Sequence, residues 1–332
     1  MAFEQALNTT DPDSSEIRPN IIGVGSTSMG FQIPELEELL IRRLPGFYDY
    51  TSAKQHVLKI RRYRDRLHRL GIATTDTQLI ALESTRFYGV VYVIQPFLKD
   101  EQLSKAAFEK KGLHLQKQFL NKQIKVAEKL IRHNTEHSEE AITIDIVSNN
   151  WEIYPPGSEN FEIRLNDLAQ PLYKENNQLA YDLYDQALSV IAPLHLIVQS
   201  KMQEEFEELF APRNLLMQAL WGYGKPISNE VEKKPVKREY PQWAMAKVNS
   251  TLKERKLTPL TSEEVLKGYH SDQFAIACLH KYRHLTTYIR SALTLLGLTR
   301  NLYMSPGNTP IEMYSTDSRP GYLECLWDAI GY

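Results

Sequence analysis

The run ITIDIVSNN, residues 142–150, places one carboxylate, Asp145, with Asn149 and Asn150 four and five residues later. Ile142, Thr143 and Ile144 are β-branched and read as a short buried strand, which puts Asp145 at a strand end. WEIYPPGSENFEIRL follows, two apolar runs around the turn formers PPGSEN, and reads as a β-hairpin that delivers Asn166 and Asp167. A hairpin returns the chain to where it started, so Asp145, Asn150 and Asp167 are expected to meet as three oxygen donors around one point. Hard oxygen donors of this kind suit magnesium, which keeps several waters or phosphate oxygens of its own. The chemistry that uses such a set is phosphoryl transfer from a magnesium nucleotide, with one Asp orienting and deprotonating the acceptor hydroxyl.

The elements needed to position these residues can be read upstream. IIGVGSTSMGFQI reads as strand, Gly/Ser loop and strand, and ELEELLIRRLP as a third strand closed by Pro45. Residues 49–70 carry Val57, Ile60, Leu67 and Leu70 at helical spacing. TQLIALE and YGVVYVIQPFL read as two further strands, the second strongly β-branched and aromatic. Residues 101–137 are helix formers with Leu115, Phe119, Ile124, Ala127, Leu130 and Ile131 as the buried stripe. Beyond Tyr181 the pattern is mostly helical. It is interrupted by a Pro- and Lys-rich linker at 224–242, resumes with TSEE at 261–264 as a capping box, and predicts a long helix over 272–296.

Bulk composition narrows the class. The 332 residues are 42% hydrophobic and 24% charged with a net charge of −2, which gives no case for nucleic-acid or membrane-surface binding. Cys278 and Cys325 are too few for a disulfide framework. The first 20 residues are polar and acidic with no apolar signal core, so the expectation is a flexible tail on a cytoplasmic protein.

Taken in order, the Gly loop, cationic strand, helix, two strands, helix, Asp-x4-Asn, hairpin and Asp resemble the protein-kinase-like superfamily. The style is that of its small-molecule branch, the aminoglycoside and choline kinases, and of an uncharacterised bacterial family of kinase-like fold. The resemblance implies an α+β, two-lobed fold: a sheet-rich nucleotide lobe over 21–98 and a mostly helical lobe over 99–332. It implies that Asp145 is the catalytic-loop aspartate, and that Asn150 and Asp167 hold Mg²⁺. It implies that Gly23, Gly25, Ser26, Thr27 and Ser28 cover the phosphates of ATP, and that Arg42, or Arg43 if the register slips by one, binds them. Gln95, Pro96 and Phe97 are expected to line the adenine site. The implied activity is ATP-dependent phosphorylation of a small metabolite.

The departures are as specific as the matches. Thr143 stands where the pattern has His, Val147 where it has Lys or Arg, and Arg replaces the phosphate-binding Lys. No Glu occurs between Asp49 and Leu70 to pair with that cation, which leaves Gln55 or His56 to hydrogen-bond there. Asp167-Leu168-Ala169 replaces Asp-Phe-Gly, and no Ala-Pro-Glu follows, which favours a small acceptor over a protein substrate. A catalytically inactive nucleotide-binding scaffold, or adenylyl transfer on the same fold, are the alternatives.

Two further features carry weaker signals. KIRRYRDRLHR, with Lys59, Arg61, Arg62, Arg64, Arg66 and Arg69, offers a face for an acidic partner, or a solvated face balanced by PELEE. His280 and His284 stand four apart on a predicted helix but lack a completing ligand set beyond nearby Cys278. Trp221, Tyr223, Trp243, Tyr269, Tyr282 and Tyr288 suit an acceptor pocket or simple core packing.

Overall fold

The computed structural model describes residues 19–24, 28–44, 47, 49–83, 89–99, 102–181, 203–204, 206–221 and 239–269. The predicted helix over 272–296, the two cysteines, the His280/His284 pair and Tyr223, Tyr282 and Tyr288 lie outside them.

Five antiparallel strands form the first layer: β1 (Asn20–Val24), β2 (Met29–Gln32), β3 (Leu39–Arg43), β4 (Gln78–Glu83) and β5 (Gly89–Pro96). Their order in the sheet is β1-β2-β3-β5-β4, so helix α1 (Tyr50–Arg69) is the connection between β3 and the edge strand β4. The predicted third strand is shorter than its apolar pattern, because Pro34–Leu36 forms a 3-10 turn before it. Strand alternation divides the sheet into two faces. Phe31, Ile41, Val90 and Tyr92 make a small outer cluster. Val91 and Val93 face the other way, into the main core with Ala53, Val57 and Ile60 of α1.

Helix α1 has well-defined ends. Asp49 caps it by accepting from the Ser52 amide at 2.7 Å, and this holds the Asp49 carboxyl below its ordinary value. At the other end Gly71 takes φ +65° while its amide reaches His68 O and the Ile72 amide reaches Leu67 O. That is a Schellman closure, with buried Ile72 meeting buried Leu67. Gly89 sets how closely α1 approaches β5: a Cβ there would overlap the Asp49 carbonyl and lie 2.6 Å from Ala53 Cβ.

The second layer is built on α2 (Ser104–Glu136), which is kinked at Gly112 with φ +71°. Its predicted stripe, from Leu115 to Ile131, is buried throughout. Against it lie the hairpin β6 (Trp151–Tyr154) and β7 (Glu162–Leu165) and helices α3 (Pro212–Gln218) and α4 (Glu239–Glu254), while the small hairpin β8 (Lys174–Glu175) and β9 (Gln178–Leu179) meets the turn Ser138–Glu140. The first turn of α4 takes residues 239–242, which the sequence assigned to the linker. The capping box forms as expected, with Glu264 N donating to Thr261 Oγ1 at 3.1 Å and Thr261 N donating to Glu264 Oε2 at 2.8 Å. Arg213 adds a bond to the same carboxylate, and backbone and guanidinium together hold Glu264 below its ordinary value.

The whole is α+β: an antiparallel sheet region first, a mostly helical region after. No helix among the described residues is long and apolar enough to cross a membrane.

Candidate functional site

The segment carrying Asp145 corrects the sequence reading in an instructive way. Residues 143–147 belong to no strand, and Ile142 makes one isolated bridge, to Tyr173. Ile142, Thr143, Ile144 and Ile146 are all fully buried, so the run is covered on both faces. Buried carbonyls must still find donors. Here side chains supply most of them in place of a neighbouring strand. Asn134 pairs with both the amide and the carbonyl of Ile142. Tyr63 Oη donates to Thr143 O at 2.7 Å, and both Gln123 Nε2 and Trp151 Nε1 donate to Ile146 O. A run with this apolar pattern looks like a strand because the four side chains that replace its partner are scattered over three other elements.

Asn150 ends the 3-10 turn that follows, and its Nδ2 donates to the Asp145 carbonyl at 3.2 Å. Because a carbonyl only accepts, the amide must present nitrogen to it, and Asn150 Oδ1 is the end left to meet a ligand. The Asn166 amide donates to Asn150 O at 2.9 Å, extending the β6–β7 register by one pair and bringing Asp167 alongside. Asp167 Oδ1 accepts from the Ala169 amide at 3.2 Å and faces Arg42 Nη1 at 3.3 Å. The pair is partly exposed, and so ranks as an interaction of modest strength. These ties run from the Asp145 backbone carbonyl through Asn150 and Asn166 to Asp167 and its partner Arg42.

The register question is also answered. Arg42 pairs with Val93 and lies on the α1 face of the sheet, whereas Arg43 pairs with Tyr92 of the outer face and is buried there. Arg42 is the cation that reaches the site.

Arg42 finds its carboxylate in Asp167 rather than on helix α1, whose side chains grip backbone carbonyls of the second layer. His56 Nε2 lies 3.1 Å from Ala169 O, which fixes the ring proton on Nε2. Tyr63 reaches Thr143 O, and Arg66 Nη1 donates to Lys174 O at 3.0 Å. Positions 56, 63 and 66 share one stripe of the helix, and each of the three side chains grips a backbone carbonyl of the second layer. Burial, and then the negative charges of Asp167 and Asp145, push the Tyr63 hydroxyl well above its ordinary 10. Both carboxylates thus make themselves felt at one buried hydroxyl.

Gln95 has a different part from the one expected. Its side chain is 3% exposed and its Nε2 bonds Thr77 Oγ1 at 3.1 Å and Asn166 O at 2.6 Å. It ties the sheet to the residue before Asp167, and its amide nitrogen is committed inside the protein. Phe97 is half-buried, with its amide on Glu38 O. Gly23 lies in β1 beside a register shift and pairs with Gly30, and Ser28 precedes β2 half-buried. Gly25, Ser26 and Thr27 lie outside the described residues.

Asn166, which the sequence reading passed over, is the addition the structure makes. It is 5% exposed and its Oδ1 has no hydrogen-bond partner. The only signal for it in the sequence is its place beside Asp167 at the hairpin end.

Four of the six cations between 59 and 69 are spent internally. Arg62 and Arg66 meet Glu175, Arg61 donates to Leu79 O of β4, and Arg64 donates to Thr77 O just before it. The balancing acid is therefore Glu175 rather than PELEE. The groove lined by Arg61, Arg64 and residues 77–80 contains none of the site residues. Trp221 and Trp243 pack partly buried against the core.

No family model matches the chain, and no curated protein matches its sequence. Among solved structures it is similar to a MAP kinase from Leishmania major, with 13% identity over 89% of this chain and 91% of that chain and a TM-score of 0.30. A likeness so distant carries no statement about activity.

Proposed function

We propose that the protein is an ATP-dependent phosphotransferase acting on a small metabolite. The observation that carries this reading is the linked unit of Asp145, Asn150, Asp167 and Arg42, bonded as one constellation across the two layers.

The donor set fits magnesium. Asn150 offers Oδ1 because its nitrogen is engaged, and Asp167 offers a carboxylate with Oδ2 still to place. Among the described residues no group of three or more His, Cys, Asp or Glu side chains could hold a metal, and an Asn/Asp pair completed by water and phosphate is the arrangement magnesium favours. Asn150 and Asp167 would hold the ion, whose contribution when bound is to neutralise phosphate charge. Arg42, already turned toward Asp167, binds and orients the phosphates. Asp145 accepts the proton of the acceptor hydroxyl as its oxygen bonds to the γ-phosphorus, the bond from that phosphorus to the bridging oxygen breaks, and ADP leaves. The short β8–β9 hairpin after Asp167 is locked against α1 through Glu175, which supports a small acceptor because residues 170–181 are folded back on the protein.

The test is a thermal-shift titration with ATP, with and without Mg²⁺, on wild type and Asp167→Asn, followed by product analysis. A magnesium-dependent rise in melting temperature that vanishes in the variant, with ADP as product on an acceptor screen, is the expected result. Pyrophosphate release would reassign the reaction to adenylyl transfer. A shift without turnover would make the protein a nucleotide-binding scaffold. No shift with any nucleotide would overturn the reading.

A further inference from the structure

Glu152, outside the constellation just described, is the residue that the chemistry above leaves unused. It is 4% exposed, and both of its oxygens have donors: Thr75 Oγ1 at 2.9 Å and Gln102 Nε2 at 3.2 Å. The three residues belong to three segments. Thr75 lies between α1 and β4, Gln102 between β5 and α2, and Glu152 in β6 two residues after Asn150. Backbone bonds run beside both contacts, from Thr75 N to Leu165 O and from Ile153 N to Gln102 O, each 2.9 Å.

From Thr75 the bonding continues with a defined direction. Thr77 Oγ1 donates to Thr75 O at 2.8 Å and so accepts from Gln95 Nε2. The other proton of that amide goes to Asn166 O, and the Asn166 amide goes to Asn150 O. A group that only accepts stands at one end of this relay, and the residue beside Asp167 stands at the other. Burying a carboxylate is costly, and an apolar side chain would fill the same space more cheaply. Its use here calls for a purpose other than stability.

We propose that Glu152 is a positioning residue: a carboxylate clasp that holds the two connections of the sheet region against the β6–β7 hairpin, and thereby sets Asn150 and Asp167 in place. The clasp has a polarity that can be inverted. Gln102 Oε1 already accepts from the Lys99 amide at 3.2 Å, so Nε2 is the end that must face Glu152. Gln102→Glu would set two carboxylates against each other. Adding Glu152→Gln would restore one donor and one acceptor across the gap, with Thr75 and Lys99 still served.

The experiment compares wild type, Gln102→Glu and the Gln102→Glu/Glu152→Gln double variant by amide hydrogen exchange and by Mg-ATP turnover. In the single variant, exchange of the Asn166 amide is expected to rise and kcat to fall, each about tenfold, while KM for ATP stays within about threefold. In the double variant all three are expected to return to within about threefold of wild type. The turnover arm rests on the phosphotransferase reading; the exchange arm needs no nucleotide and decides alone if wild type turns none over. A single variant indistinguishable from wild type, failure of the second change to rescue, or acceleration spread evenly along β6 and β7 would each overturn the proposal.

Discussion

The two aspartates of the site are anchored by opposite means. Asp145 sits in a run whose isoleucines are fully buried in the second layer, and the carbonyls around it are held mainly by donors from that layer, with Tyr63 the one contribution from α1. Asp167 emerges from β7 into a segment held largely by the sheet region: Arg42 from β3, Gln95 from β5 through Asn166, and His56 from α1 through Ala169. The first is fixed by packing, a dense and cooperative constraint. The second is fixed by a few polar ties between layers, each of which contributes little to stability and much to direction. Damage near Asp145 should therefore unfold, and damage near Asp167 should misplace.

That contrast can be broken experimentally. The largest effect is expected on turnover: Asp145→Asn should lower kcat by about a thousandfold or more while leaving Mg-ATP affinity within a few-fold, measured by steady-state assay and by titration. Next in size is Ile144→Ala, which should cost about 2–5 kcal/mol in denaturant unfolding because no neighbour can fill the space. Equal loss from Gln95→Ala would erase the distinction between the two anchors.

Tyr63→Phe sharpens the comparison at the one point where α1 reaches the Asp145 run. Loss of the bond to Thr143 O is expected to cost about 1–3 kcal/mol at neutral pH, since that carbonyl is left buried and unpaired. The same variant should change the alkaline limb. Because the folded hydroxyl titrates above its ordinary 10, its contribution is full below that value and is lost as pH rises toward the folded one. Wild-type stability should fall through this window, and the variant should fall less. The smallest effect is expected from Glu175→Gln. It removes the partly exposed bridges from Arg62 and Arg66 and should change stability by no more than about 1 kcal/mol, with the difference shrinking in high salt.

Several parts of the fold were legible because they are local. Strands β1 to β5, helix α1, the β6–β7 hairpin and the Thr261–Glu264 box each rest on residues within a few positions of one another. Alternation, helical spacing and turn formers report such contacts directly. The same locality made Asp145, Asn150 and Asp167 recognisable, since their order along the chain is the order in which a loop and a hairpin present them. The apolar run 142–146 misled, because buried isoleucines look alike whether a strand or a set of side chains serves their backbone.

What the amino-acid sequence determined on its own was the inventory and its order: an Asp, an Asn five residues on, an Asp beyond a hairpin, and an arginine on an early strand. Only the tertiary structure decided between Arg42 and Arg43. It alone turned Gln95 from the expected base site to Asn166, made Glu175 the partner of the basic helix, and closed Glu152 between Thr75 and Gln102. Each of these depends on contacts between residues that are distant in the chain. Hydrogen-bond partners at such separations are selected by packing and register, and no local pattern of residue types records them.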